Sequence, residues 1–217
     1  MEQQVTFILA GGSMSLPFLQ DQLKKYPQHV VIAADRGLES CMALGVTPDY
    51  VIGDFDSLDP GVKEKFLSDV KNVTRLNPVK DDTDTEAALN LAFEKTTGDI
   101  LILGGTGSRL DHVLGNISIL AQGLERGRRV MLLDEHNRIR VIDGALVLKR
   151  EEQFGNYVSL LPLTTEVTGV TLEGMKYPLH KYTLRSDTSI GISNEIAAEE
   201  ARISFDSGIL IVVESRD

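Results

Sequence analysis

The sequence predicts an α/β fold in two parts: a parallel-sheet α/β domain over residues 1–142, followed by a small all-β sandwich or open barrel over residues 143–217. Three observations predict it. From Val5 to about Asp134, short β-branched apolar runs alternate with helical stretches, which is the pattern of βαβ units and a parallel sheet. Residues with unusual chemistry fall just beyond those runs, where ligands of such sheets bind. Beyond about Asp143 the helical stretches stop, and short strand-like runs recur between turn residues.

Taken in order, Val5–Leu9 reads as the first strand and ends at Gly11-Gly12-Ser13. Pro17 then opens a helix with Leu19 and Leu23 on its apolar face. Val30–Ala34 is the second strand, ending at Asp35-Arg36-Gly37, and a short helix over Leu38–Leu44 stops at Gly45. Tyr50–Ile52 runs into Asp54 and Asp56, and Asp59-Pro60 caps and opens a further helix. Val73–Leu76, Ile100–Leu103 and Val130–Leu133 complete the buried strands, with helices over Glu86–Phe93 and Val113–Leu124. In the second part the strand-like runs are Ala145–Leu148, Tyr157–Leu161, Glu166–Thr171, Tyr182–Leu184, Ile190–Ile192, Glu200–Phe205 and Ile209–Val213.

Composition narrows the function. With 217 residues, 42% hydrophobic and 25% charged, the chain has material for a sizeable core. A net charge of −10 argues against a general nucleic-acid binder, which would carry a basic face. The single cysteine, Cys41, excludes a disulfide framework and suits a reducing cytoplasm. Met1-Glu2-Gln3-Gln4 lacks the basic start of a secretion signal, and no apolar run approaches the ~20 residues of a membrane span. A cytoplasmic protein is the expectation.

Three clusters carry the chemistry: Gly53-Asp54-Phe55-Asp56-Ser57, Lys80-Asp81-Asp82-Thr83-Asp84, and Gly104-Gly105-Thr106-Gly107-Ser108-Arg109-Leu110-Asp111-His112. Carboxylates massed at one sheet edge repel unless a cation sits between them, and oxygen ligands suit Mg²⁺ bridging to phosphates. Asp54 and Asp56 are two residues apart and point the same way in extended chain. A hydrogen-bonded turn is the other reading of that pair. Thr83 with Glu86 makes a capping box, which leaves Asp81, Asp82 and Asp84 unexplained; Asp81 and Asp84 are the metal candidates there. Lys80 either neutralises that turn or reaches a phosphate. The glycine-rich segment resembles a phosphate-cradling loop without the Walker or full Rossmann pattern. Arg109 suits phosphate, and Asp111 holds a metal or orients Arg109. His112 is given no role.

Together these segments, with Ala34-Asp35-Arg36-Gly37 and Gly191-Ile192-Ser193-Asn194, resemble the thiamin pyrophosphokinase family over nearly the whole chain. The resemblance implies an α/β nucleotide-binding domain, then a β-sandwich for thiamin binding and dimerisation. It also implies ATP plus thiamin giving AMP plus thiamin diphosphate, with Mg²⁺ as cofactor. Asp54, Asp56 and Asp84 would hold Mg²⁺, and Asp35, Lys80, Asp81, Thr83 and Arg109 would bind ATP. Arg109 and Asp111 join the three metal carboxylates as catalytic residues. Ser193 and Asn194 would meet the aminopyrimidine in a pocket shared between the chains of a homodimer. Some relatives stack an aromatic ring, often Trp, on the substrate; this chain has no Trp. Alternatives from other classes are a diphosphokinase acting on a pterin alcohol, a non-catalytic thiamin or nucleotide sensor, and an aspartyl-phosphate phosphatase.

Overall fold

A computed structural model describes residues 4–53, 70, 72–75, 82–107 and 109–217. The fold is mixed α/β, with a parallel-rich sheet and a separate antiparallel sheet. The chain divides into two compact units, Met1–Ile119 with Arg128–Glu135, and Leu120–Gly127 with His136–Asp217.

In the first unit the strands are β1 (Val5–Leu9), β2 (His29–Ala34), β3 (Tyr50–Gly53), β4 (Asn72–Arg75), β5 (Asp99–Leu103) and β6 (Val130–Leu133). They pair in parallel in the order β4-β3-β2-β1-β5-β6. Every residue of β1 is buried. Neighbouring strand residues point to opposite faces, so both faces of the sheet are covered. The order runs outward from β1 to β4 and then restarts on the other side of β1, which makes the β1/β5 boundary a topological switch point.

The helices begin and end where local chemistry allows. In α1 (Leu16–Lys25), Ser15 Oγ accepts from the Phe18 N–H at 3.4 Å, and Pro17 sits in the first turn. Helix α2 (Gly37–Leu44) ends at Gly45, whose left-handed φ of 66° lets its N–H reach the Met42 carbonyl. Thr83 caps α3 (Asp84–Lys95), its hydroxyl accepting from the Glu86 N–H at 3.2 Å. Arg128 holds the far end of α3, donating to the Gly98, Ala92 and Thr96 carbonyls at 2.7 to 3.0 Å. Helix α4 (Leu110–Ile119) stops before the expected Leu124, and α5 (Gln122–Glu125) is separate. Apolar spacing continues through Leu120 and Leu124, so periodicity does not register that break. The helix expected at Asp59-Pro60 lies outside the described residues.

The second unit holds β7 (Asn137–Ile142), β8 (Leu146–Lys149), β9 (Tyr157–Pro162), β10 (Glu166–Glu173), β11 (Leu179–Arg185), β12 (Glu200–Ser204) and β13 (Leu210–Ser215). Strand β13 pairs antiparallel with β7 and β9, and a second antiparallel sheet runs β11-β10-β12-β8. Val158, Leu160, Leu210 and Val212 meet Leu148, Val170, Leu172 and Ile203 in one core cluster.

Two expectations are corrected here. Strand β7 was not anticipated; its sequence alternates Arg138 and Arg140 with Ile139 and Val141. Both arginines pair with Glu214 of β13, which is fully buried. Burial pushes the Glu214 pKa up, but the two guanidinium groups outweigh it and hold the carboxyl below its ordinary value. Ile190–Ile192 is a turn rather than a strand, because Gly191 takes φ 105° and Ser193 takes φ 55°, outside extended geometry. Cys41 is buried, which pushes its thiol up to about 12 and leaves it unreactive at neutral pH. Among the described residues, no helix is long and apolar enough to cross a membrane.

Candidate active site

The chain leaves β1 and β5 side by side at the switch point, and glycines let the two exits touch. The Ala10 N–H donates to the Leu103 carbonyl at 2.8 Å, and the Gly12 N–H to the Gly104 carbonyl at 3.0 Å. A Cβ on Gly12 would lie only 2.3 Å from the Gly104 oxygen, and Gly104 itself takes φ 73°. Both positions therefore need glycine. Asn116, buried on α4, donates its amide to the Gly105 carbonyl at 2.9 Å and fixes the next peptide.

A cavity of about 290 Å³ opens at these strand ends. Its walls are Ala10–Gly12 after β1, Ala34–Arg36 after β2, the first turn of α3 at Thr83–Thr85, and the Gly104–Gly107 turn, with Arg109, His112 and Asn116. The N-terminal turn of α3 contributes the positive end of its dipole. Asp35 sits on the wall in the left-handed region at φ 46°, its N–H held by the Ile52 carbonyl at 2.9 Å. Asp tolerates that region better than most residues, at some local strain.

Arg109 is oriented by a two-pronged bond to Asp111, Nε to Oδ1 at 3.1 Å and Nη2 to Oδ2 at 2.6 Å. The His112 N–H adds a bond to Oδ1 at 2.9 Å. Arg109 draws the Asp111 carboxyl down to about 2, so the pair stays ionic throughout the neutral range. Both side chains are well exposed, so its worth lies in aim rather than stability.

Of the residues singled out from the sequence, Asp35, Thr83, Asp84 and Arg109 line this one cavity, with Asp111 bonded to Arg109. Asp54, Asp56, Lys80 and Asp81 lie outside the described residues; Gly53, which precedes Asp54, is the last residue of β3. Among the described residues no group of three or more His, Cys, Asp or Glu is placed to hold a metal ion. Asp35 and Asp84 bring oxygen donors to the wall, which suits a hard cation. Arg36, Asn116 and the Gly11-Gly12 turn were missed as site residues. The Gly11-Gly12 pair after the first buried strand and Arg36 within Asp35-Arg36-Gly37 were legible at strand ends, whereas Asn116 carried no signal.

Ser193 and Asn194 lie in the second unit. Asn194 is buried, and its carboxamide is engaged by backbone: Oδ1 accepts from the Tyr177 and Glu195 N–H groups, and Nδ2 donates to the Tyr177 carbonyl at 2.7 Å. Its main chain pairs with Val158 in both directions. The Ser193 N–H donates to the hydroxyl of buried Ser159 at 3.0 Å. Asn194 thus clamps Tyr177, whose side chain remains exposed with the Lys176 ammonium 5.5 Å from its ring centre.

Residues 22–132 match a family model described as the thiamin pyrophosphokinase catalytic domain. Residues 145–210 match one described as the thiamin pyrophosphokinase vitamin B1 binding domain. The chain belongs to the thiamin pyrophosphokinase family. It is 32% identical over 212 residues to the thiamine pyrophosphokinase of Bacillus subtilis (strain 168), covering 97% of this chain and 98% of that one. Its fold is similar to the crystal structure of thiamine pyrophosphokinase from Bacillus subtilis, with a TM-score of 0.87, 29% identity and coverage of 99% and 100%. The crystal structure of the family member from Geobacillus thermodenitrificans gives a TM-score of 0.85 at 30% identity, covering 98% of each chain. Both family segments, and the order in which they follow one another, are thus present in this chain.

Proposed function

We propose that this protein transfers a pyrophosphoryl group from ATP to the hydroxyl of thiamin, giving thiamin diphosphate and AMP. The observation that carries the reading is one cavity at the β1/β5 switch point lined by two glycine-rich turns, a helix N-terminus, Arg109 and Asp84 in a chain of this family. The thiamin hydroxyl attacks the β-phosphorus, the bond from that phosphorus to the oxygen bridging to the α-phosphorus breaks, and the hydroxyl proton is lost. Such transfers depend on positioning and charge neutralisation more than on covalent chemistry by the protein. Arg109, aimed by Asp111, meets phosphate oxygens together with the Gly104–Gly107 turn. Lys80 adds a cation, and Asp35, Asp81 and Thr83 complete the ATP site.

Asp54, Asp56 and Asp84 hold Mg²⁺ in this reading; the oxygen-only donor set and the placement of Asp84 on the cavity wall support it. When bound, Mg²⁺ neutralises charge on the phosphate oxygens. Ser193 and Asn194 belong to the thiamin pocket. Asn194 acts there through Tyr177, whose held backbone and exposed ring supply the aromatic face in a chain without Trp. Residues 1–142 form the catalytic nucleotide-binding domain and residues 143–217 the thiamin-binding β-sandwich. The protein works as a cytoplasmic homodimer, with each thiamin pocket completed by the partner chain. The buried, unreactive Cys41 accords with a reducing compartment.

Incubation with Mg-ATP and thiamin, followed by chromatography of both products, tests the reaction. AMP appearing in step with thiamin diphosphate is expected. ADP with thiamin monophosphate, or turnover of hydroxymethylpterin in preference to thiamin, would sink it.

A further inference from the structure

Beside the Ser193-Asn194 turn stands an ion pair that the proposed transfer leaves without a role. Two short segments run antiparallel there. Met175 pairs with Ile196, the Lys176 N–H donates to the Glu195 carbonyl at 2.9 Å, and the Ala197 N–H donates to the Gly174 carbonyl at 2.9 Å. Met175 and Ile196 are buried in the core of the second unit, whereas the side chains of Lys176 and Glu195 are about half exposed. Lys176 Nζ meets Glu195 Oε1 at 2.6 Å and stands 5.5 Å from the centre of the Tyr177 ring. Its bond to Glu195 raises the Lys176 pKa above the ordinary value, so the ammonium stays charged. A single atom fixes the group: Asn194 Oδ1 accepts from the Tyr177 N–H at 3.0 Å and from the Glu195 N–H at 2.9 Å. Ring and carboxylate therefore spring from backbone held at one point.

Asn194 has no acceptor left for a substrate. Both lone pairs of its Oδ1 are taken by those two N–H groups, and Nδ2 is a donor, already bonded to the Tyr177 carbonyl at 2.7 Å. An aminopyrimidine stacked on an aromatic ring is recognised along its edge, where an exocyclic amino group donates and the ring nitrogen beside it accepts. Its complement is an acceptor next to a donor. Glu195 Oε2 has no hydrogen-bond partner among the described residues, and the Lys176 ammonium keeps N–H bonds to spare after its bond to Oε1. The two groups stand together beside the exposed ring of Tyr177.

We infer that the Lys176–Glu195 pair reads this edge of the substrate, Glu195 accepting from the amino group and Lys176 donating to the adjacent ring nitrogen. Asn194 is the positioning residue for both Tyr177 and Glu195. The inference rests on the reading above that thiamin is the acceptor and that Tyr177 carries its pyrimidine. A carboxylate that faces an amino group rejects an analogue with a carbonyl at that position, because two acceptors are then pressed together out of water.

Calorimetric titration of the full chain in Mg²⁺ buffer tests it, with thiamin and with oxythiamin, in which an oxo group replaces the amino group and the adjacent ring nitrogen carries a hydrogen. The wild type binds oxythiamin more weakly than thiamin by about tenfold or more, the effect of losing a hydrogen bond to a charged acceptor. In Glu195→Ala, thiamin weakens by about tenfold while oxythiamin changes by less than about twofold, so the gap closes. Lys176→Met keeps an unbranched stem beside Tyr177, removes the donor and narrows the gap. Both variants keep the wild-type melting temperature and affinity for α,β-methylene-ATP. A wild type that binds both ligands alike, a gap that persists in Glu195→Ala, or an equal loss of both ligands in that variant overturns the inference; an equal loss would make the ion pair a folding contact alone. A wild type that binds neither ligand sinks the inference together with the thiamin reading. A wild type that prefers thiamin to oxythiamin yet makes no thiamin diphosphate sinks the transferase reading alone.

Discussion

Among the described residues, the two units each hold one non-glycine residue of the proposed site in left-handed backbone, Asp35 at φ 46° and Ser193 at φ 55°, but they build around it differently. In the first unit the cradle is made of backbone. Gly12 and Gly104 have no side chains, and the Gly12 N–H bonded to the Gly104 carbonyl, with the Ala10 N–H bonded to the Leu103 carbonyl, holds the two strand exits together. In the second unit side chains hold the backbone: Asn194 clamps Tyr177 and Glu195, and Ser159 holds the Ser193 N–H. An anion is met well by N–H groups on bare turns, whereas a flat aromatic substrate needs a ring held at a fixed height. In the proposed reading, the contrast between the units follows the contrast between those two ligands.

The largest expected effect lies on the backbone-built side. Asp84→Asn keeps the Thr83 cap and the helix, yet removes a carboxylate from the cavity wall. Turnover should fall by on the order of a thousandfold, the several kcal/mol that an organised metal contributes in phosphoryl transfer. Asp54→Asn and Asp56→Asn should behave alike. Steady-state kinetics alongside circular dichroism decide it, and Mg²⁺-dependent turnover at the wild-type rate would reduce the carboxylates to turns and caps.

Next in size is a change that moves stability and leaves the cradle alone. Glu214→Gln leaves the Arg138 and Arg140 guanidinium groups without a buried counter-charge, at a cost of about 3 kcal/mol or more. The folded Glu214 pKa is depressed, so its contribution is complete above the unfolded carboxylate pKa and is lost as pH falls through the folded one. Urea unfolding at pH 7 should separate wild type from Glu214→Gln, and the two should converge in acid below the ordinary glutamate range. A gap that widened on acidification would contradict the sign.

A third variant probes the clamp itself. Asn194→Ala removes three hydrogen bonds to backbone, two from N–H groups and one to a carbonyl, and frees Tyr177. The Michaelis constant for thiamin should rise about tenfold or more while that for ATP stays near wild type, as expected when each bond lost contributes roughly 1 kcal/mol. Asn194→Ala chains mixed with Asp56→Asn chains should recover part of the activity once heterodimers form, because some then carry one intact pocket. Heterodimers without recovery would place each pocket within a single chain.

How far all this was legible in sequence follows the same divide. Glycine spacing and carboxylate crowding are visible in one dimension, so Gly104–Gly107, Asp84 and Arg109 could be placed after their strands before any geometry was known. That the first sheet is parallel was legible from β-branched runs such as Val30–Ala34 alternating with helical stretches, but its strand order was not. Strand β7 was passed over, although it alternates Arg138 and Arg140 with Ile139 and Val141; the buried partner of those arginines, Glu214 of β13, lies 74 residues beyond Arg140. The Ser193-Asn194 turn was read as following a strand over Ile190–Ile192, since β-branched propensity outweighs a single glycine on paper. An asparagine that binds a ligand and one that binds backbone also look the same in a sequence.

The smallest effect separates the two strained residues. Non-glycine backbone in the left-handed region costs on the order of 1 kcal/mol, while glycine loses about 0.5–1 kcal/mol more chain entropy on folding. For Asp35 the two terms nearly cancel, because Asp visits that region at lower cost than most residues. Asp35→Gly should therefore leave the melting temperature unchanged within about a degree. Serine has less tolerance, so Ser193→Gly should raise it by about one to two degrees, a few tenths of a kcal/mol in a chain of this size. If the Ser193 hydroxyl meets the aminopyrimidine, the same variant should bind thiamin several-fold more weakly. A more stable protein that binds less substrate would mark strain held for function. Ser193→Gly with higher stability and unchanged thiamin affinity would instead make the turn at Ser193 a matter of folding alone.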